Sequence, residues 1–270
     1  MKKLILTILF LGAGLHLWSA NAADTLSIQR KQSTWQMALP GGGRMECNLQ
    51  AEWPETQDNA INTAFGTWLS ESLKPMLKLE EGTGHALANR LEQCFLEEGK
   101  KARQQAVEQA VRGQVKPFNL ALDVDIRCVW NKANLVTFRL HAIHYSATGE
   151  RSEIVKEKTW HMPSGSDVTW DELVNPKRRQ RFNSVMVEAL QSYFGVNDWE
   201  NLKLKLAQGE QLTLLGFPLP KGGPALEKAG IRLCYEAGEI APAGAGRPTA
   251  FVPYSSIASH LTANGKKLIK

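Results

Sequence analysis

Residues 118–130 alternate strictly. Phe118, Leu120, Leu122, Val124, Ile126, Cys128 and Trp130 take every second position, with Asn119, Asp123, Asp125 and Arg127 among the residues between them. A two-residue period puts the two sets on opposite faces of a strand. One face must be buried and the other wetted, the mark of an antiparallel sheet with one covered side. Residues 131–134 (Asn-Lys-Ala-Asn) turn the chain into a second strand over Leu135–Tyr145. Residues 146–149 (Ser-Ala-Thr-Gly) turn it again into a third over Ile154–Met162, completing a meander.

Upstream, Thr25–Arg30 and Thr34–Leu39 read as two short strands, and Pro40 with Gly41-Gly42-Gly43 as a hairpin loop. Met45, Cys47, Leu49, Ala51 and Trp53 then alternate with polar residues as a half-buried strand ended by Pro54. With Asp58 as N-cap, Ile61, Phe65, Trp68, Leu69, Leu73 and Leu77 recur at helical spacing, with Pro75 near the end. A second helix spans about 85–111 and buries Leu87, Leu91, Cys94 and Phe95. Downstream, a helical region opens at Asp171-Glu172-Leu173, continues past Pro176 through Phe182, Val185, Leu190 and Phe194, and stops at Gly195. A shorter helix follows over Asp198–Leu206, then a closing hairpin and a helix over Ser255–Leu261. Strands, helices, meander, helix and hairpin in that order predict an α+β fold. The expected form is an antiparallel sheet packed with several helices, as two intertwined αβ modules over 23–115 and 116–270.

The N-terminus reads as an export signal. Lys2 and Lys3 precede an apolar run, Leu4–Trp18, and Ala20-Asn21-Ala22 is an A-x-A cleavage site. The run has about 15 residues, short of the roughly 20 needed to span a bilayer. Cleavage after Ala22 leaves 248 of 270 residues, without a transmembrane span, in the periplasm or outside the cell. Losing Lys2 and Lys3 takes the net charge from +5 to +3, spread along the chain, which gives no argument for nucleic acid.

Four cysteines, Cys47, Cys94, Cys128 and Cys234, are widely spaced and form no C-x-x-C. An even number in an oxidising compartment predicts two disulfides, with three connectivities open.

Candidate chemistry is sparse. His141 and His144 stand three apart in a strand, hence on opposite faces, and His161 lies on the partner strand. Asp123 and Asp125 share the wet face, about 6–7 Å apart by strand rise, a separation seen in carboxylate pairs of glycosidases. Gly82-Thr83-Gly84 has Leu87 where a dinucleotide loop has its third glycine, so it reads as an inter-helix turn. There is no G-x-S-x-G and no H-E-x-x-H. No metal or cofactor is expected. Residues 176–181 (Pro-Lys-Arg-Arg-Gln-Arg) form the densest basic run and read as a solvated helix end. Trp160, Trp170 and Trp199 have the residue type that stacks on sugars, but Trp belongs more often to a core.

From residue 167 onward several segments carry a family pattern. They are 167–173 (DVTWDEL), 217–219 (FPL), 230–235 (GIRLCY), 239–242 (EIAP) and 252–254 (VPY). They resemble the RsiV-like extracytoplasmic family, found in lysozyme-sensing anti-sigma factors and as an accessory domain of peptidoglycan deacetylases. The strand at Met45–Trp53 and the helix from Asn59 look like its companion N-terminal module. The resemblance implies an α+β domain of the cell envelope and, in one branch, contact with lysozyme. The chain departs from it in having no sigma-binding segment with a membrane span and no deacetylase domain. It also has Ala243-Gly244-Ala245-Gly246 where the family more often places an aromatic after the proline. No lysozyme-contacting residue carries over.

Together these features predict an exported, non-enzymatic binding protein of the cell envelope whose partner is a protein such as lysozyme, or peptidoglycan fragments. The alternatives are a peptidoglycan hydrolase using Asp123, Asp125 or the histidines, and a lysozyme inhibitor. The expected binding surface is the final hairpin and its turn, with Tyr235, Glu236, Glu239, Pro242, Arg247 and Tyr254, because such turns present backbone on a rigid scaffold. A chain at +3 is not steered toward a basic partner. Glu150, Glu153 and Glu157, or Glu236 and Glu239, would have to supply a complementary acidic patch.

Overall fold

A computed structural model describes residues 25–39, 42–55, 59–77, 84–111, 119–132 and 134–270, with the side chains of 59, 84–88 and 109–111 left aside. The export signal, Pro40, Gly41, Asp58, Gly82, Thr83, Phe118 and the side chain of Leu87 lie outside the described residues.

In chain order the elements are β1 (Ser27–Ala38), β2 (Arg44–Glu55), α1 (Asn59–Leu73), α2 (Gly84–Val111), β3 (Asn119–Lys132), β4 (Leu135–Tyr145), β5 (Arg151–His161), α3 (Trp170–Leu173), α4 (Arg179–Phe194), α5 (Trp199–Lys203), β6 (Ala225–Leu226), β7 (Gly230–Cys234), β8 (Thr249–Pro253), α6 (Tyr254–Ile257) and α7 (Ala263–Leu268). The fold is α+β, as the order of elements predicts. Strands β1 to β5 form one sheet in sequential order, and β6 to β8 form a small antiparallel sheet.

Two expectations about the sheet change. The two short N-terminal strands are one continuous strand, β1, paired with β2 from Ser27↔Glu55 to Ala38↔Arg44. The large sheet is mixed rather than antiparallel throughout, because β2 and β3 pair in parallel. The reason is the connection: α1 and α2 intervene between the two strands, and such a crossover returns the chain in the same direction. The meander β3–β4–β5 is antiparallel, as its short turns require.

Helices α1 and α2 cover one face of this sheet. Ile61, Phe65, Leu69 and Leu73 of α1 are fully buried, and Pro75 lies just past the helix end, where its missing N–H costs nothing. The core beneath joins Met45, Leu49, Leu122, Val124 and Ile126 to an aromatic group, with Phe65 4.7 Å from Phe138 and Trp68 5.4 Å from Trp160.

Among the described residues, the other face is covered toward the β4–β5 end. There a second core forms from Leu173, Phe182, Met186, Leu190, Phe217, Leu233, Tyr235 and Val252. Helix α4 carries Phe182, Met186, Val187 and Leu190 into it and stops at Gly195, whose φ of 64° is a left-handed cap. The double covering explains why Leu135–Phe138 is buried at every position, without alternation.

Trp130 joins this second core, away from Val124 and Ile126. The pairing of β3 with β4 shifts between Cys128 and Trp130, so Cys128 faces Phe138 and Trp130 faces Thr137. One inserted residue, Val129, reverses the phase. The seven alternating apolar residues of the sequence therefore do not share one face.

Among the described residues no disulfide joins Cys47, Cys94, Cys128 or Cys234, contrary to the expected two. Cys47 lies on β2, Cys94 on α2, Cys128 on β3 and Cys234 on β7. Burial pushes the thiols of Cys47 and Cys128 up to about 12 and that of Cys234 higher still.

Candidate functional site

Strand β5 is the last of its sheet, and its outer edge faces a cleft of about 370 Å³ where the two cores meet. The walls come from distant parts of the chain. They include Trp68 of α1, Val155–Lys158 of β5, and Gly222, Cys234 and Glu236 of the C-terminal layer. Even residues of β5, such as Ile154 and Trp160, face the helix-covered core. The odd residues therefore face the C-terminal layer.

On that face Glu157 is the buried charge, with 1% of its side chain exposed. Its Oε1 accepts from Arg139 Nε and lies 3.4 Å from Arg232 Nε. Both guanidinium groups also reach Glu227 Oε1, at 2.9 and 2.6 Å. Two cations and two anions balance locally. The second carboxylate oxygen of Glu157 is different: Oε2 is buried and, among the described residues, has no hydrogen-bond partner. Burial pushes the Glu157 carboxyl above its ordinary value, outweighing the opposite pull of Arg139 and Arg232. A buried acceptor left open is costly unless something donates to it.

Lysines and carboxylates rim the cleft. Lys158 pairs with Asp167 at 2.7 Å and Lys156 with Glu236 at 3.4 Å. Lys221 lines the mouth, and its backbone N–H donates to Glu239 Oε1 at 2.8 Å. Trp170 is anchored by its indole N–H on Pro220 O at 2.9 Å, with its ring against Phe182.

No protein-family model and no curated protein matches this sequence. Two solved structures share its architecture. One is a DUF3298 family member from Bacteroides fragilis, with a TM-score of 0.63 and 14% identity over 90% of this chain and 96% of that one. The other is a DUF3298 family protein from Pseudomonas aeruginosa, with a TM-score of 0.50 and 13% identity over 88% and 95%. The chain has the DUF3298 fold. At these identities the likeness concerns the fold alone.

Of the six hairpin residues singled out by sequence, two belong to the cleft region. Glu236 lines it, and Arg247 bonds Glu236 and donates to the Glu153 carbonyl at 3.2 Å. Tyr235 and Tyr254 are structural. Their hydroxyls donate to Pro218 O and Glu227 O, both at 2.9 Å, and burial raises both above the ordinary tyrosine value. Glu239 closes its own turn by accepting from Glu236 N–H at 2.8 Å. Pro242 is exposed at the start of the 243–245 turn.

The other candidates are dispersed. His141 pairs with Glu153 at 2.9 Å, His144 with Glu98 at 3.0 Å and His161 with Glu172 at 2.8 Å, each histidine with its own carboxylate. Asp125 is bound to Arg127 at 2.7 Å, and Asp123 accepts weakly from Asn48 at 3.4 Å, both on the open face of the sheet. Among the described residues no three His, Cys, Asp or Glu side chains gather as a metal site. The acidic group of Glu150, Glu153 and Glu157 is not a continuous surface patch, because Glu157 is interior. In the basic run, Arg178 caps Ser259 O at 2.6 Å and Arg179 holds Asn183 at 2.9 Å. Trp160 is core, and Trp199 packs on Phe217.

Sequence reading missed Trp68, Val155 and Lys221 as cleft residues and took Glu157 for a surface acid. The available signal was Glu157 at an odd position in a strand whose even positions are apolar at Ile154 and Trp160. Its burial depends on a layer that arrives some 70 residues later.

Proposed function

We propose that this protein is exported to the cell envelope and works there as a binding protein without a reaction of its own, its ligand being a protein or a peptidoglycan fragment. The observation that carries this reading is the cleft on β5, a concave site between two cores whose lining includes Glu157, a buried residue with an acceptor, Oε2, that meets no donor among the described residues. Export is supported by Lys2, Lys3, the apolar run and Ala20-Asn21-Ala22. The non-catalytic reading is supported by the dispersal of the histidines, each occupied by its own glutamate. The resemblance of residues 167–254 to RsiV-like domains favours an envelope partner of the kind those domains meet.

The test is retention on the immobilised chain lacking residues 1–22, offered envelope extract, soluble muropeptides and lysozyme in separate runs. Specific retention of one of them is expected, with loss in a Gly222→Trp variant that fills the cleft. Retention of nothing specific by the folded wild type would refute the proposal.

A further inference from the structure

The β5 edge has a gap in its hydrogen bonding. The Glu153 carbonyl accepts from Arg247 at 3.2 Å, the Thr159 carbonyl accepts from Val168 N–H at 3.2 Å, and the His161 N–H donates to Ser166 O at 2.8 Å. These three bonds fix the parity: odd residues of β5 turn their backbone groups away from β4. Val155 and Glu157 lie between the two occupied ends, and among the described residues their outward N–H and C=O groups meet no backbone partner. Both residues line the cleft, and the buried side chain of Glu157 carries the carboxylate oxygen that meets no donor among the described residues.

The site is shaped for a second backbone. The span from Glu153 to Thr159 is about 20 Å by strand rise, room for three to five residues of added strand. Gly222 also lines the cleft, and a Cβ there would meet nothing within 4 Å; Gly223 beside it has φ +85°. Lys156 and Lys158 are the kind of residue that guards a free edge. Their partners Glu236 and Asp167 are 43% and 53% exposed, and ion pairs so exposed hold little free energy, so they yield readily.

We propose that the cleft receives an extended peptide segment of a partner protein as an added strand on β5. Its main chain pairs with Val155 and Glu157, and one neutral side-chain donor, a hydroxyl or a carboxamide, reaches Glu157 Oε2. The inference rests on the binding reading above and names its ligand class. Main-chain pairing supplies affinity and the side-chain contact supplies selectivity. A neutral donor fits better than a cation because Arg139 and Arg232 already balance Glu157 and Glu227.

The probe is a phage library of random dodecapeptides panned on the chain lacking residues 1–22, with the best binder resynthesised with capped ends. Copies N-methylated at alternate amides are then compared on wild-type protein, where folding is not at issue. Methylation at one parity is expected to weaken binding by about tenfold or more and at the other by under about threefold, since only one set of amides faces β5. Val155→Pro, which removes an outward N–H but no bond to β4, is expected to lose binding while keeping its melting temperature within a few degrees. Equal effects of methylation at both parities, or no enriched peptide, would overturn strand addition. If muropeptides or lysozyme are retained while no peptide is enriched, the binding reading stands and the peptide inference falls; if nothing is retained, both fall.

Discussion

The hydroxyls of Thr137 on β4 and Thr159 on β5 lie 2.8 Å apart in the buried seam between the two layers. Thr137 donates to Leu226 O at 2.7 Å, and Leu226 N–H donates to Thr159 Oγ1 at 2.9 Å. Each hydroxyl has one proton, so Thr159 must donate to Thr137, and the set closes with every group satisfied. Thr137→Val strands the Leu226 carbonyl and is expected to cost about 1–3 kcal/mol in urea unfolding. Thr137→Val with Thr159→Val should cost less than the sum of the two single changes. A Thr137→Val protein as stable as wild type would show that the seam is not held this way.

Glu92 ties α2 to β1. It takes Lys31 Nζ at 2.7 Å, Ser33 Oγ at 2.6 Å and Trp35 Nε1 at 2.9 Å. Burial alone pushes its carboxyl up, but the three donors outweigh burial and hold it below the ordinary 4.5. A folded-state value below the unfolded one gives stability that is present above pH 4.5 and lost as the pH falls through the depressed value. Glu92→Gln should therefore show a shallower loss of stability below pH 4.5 than wild type in denaturant titrations. Parallel pH curves would contradict the assignment.

Val124 is fully buried beneath the helices, while Asp125 faces outward beside Arg127. Val124→Asp is expected to cost about 4 kcal/mol or more, enough to abolish cooperative unfolding in a marginal domain. Asp125→Ala should change stability by about 0.5 kcal/mol or less. Comparable effects of the two would mean that the strand phase is wrong.

The cysteines, with no disulfide among the described residues, make a direct prediction. Cys47, Cys128 and Cys234 should resist a thiol reagent at pH 8 in the native protein, because burial raises all three. All four cysteines should react once the protein is unfolded without reductant, and reductant should leave the melting temperature unchanged. Fewer than four thiols in the unfolded, unreduced chain would reveal a disulfide.

Some of this was legible in advance. The Leu135–Tyr145 strand matches β4 at both ends, and the α4 stripe runs to Gly195 as read. The phase of Trp130 was not legible, because a bulge at Val129 leaves no mark in a run that still alternates on paper. The six hairpin residues looked alike in sequence, yet Tyr235 and Tyr254 are sealed in by hydrogen bonds to Pro218 and Glu227, while Glu236 opens on the cleft. Exposure there is decided by what packs alongside.

What the amino-acid order determined by itself is local: the periods that make β3 a strand and α1 a helix, the breaks at Pro75 and Gly195, and the α+β class. These follow from backbone geometry within a few residues. Only the tertiary structure decided that β2 and β3 run parallel, that Thr137 and Thr159 close on Leu226, and that β5 ends the sheet with the outward backbone groups of Val155 and Glu157 open among the described residues. Such pairings join segments far apart in the chain and are selected by the free energy of burying whole surfaces together, which no local pattern of residues encodes.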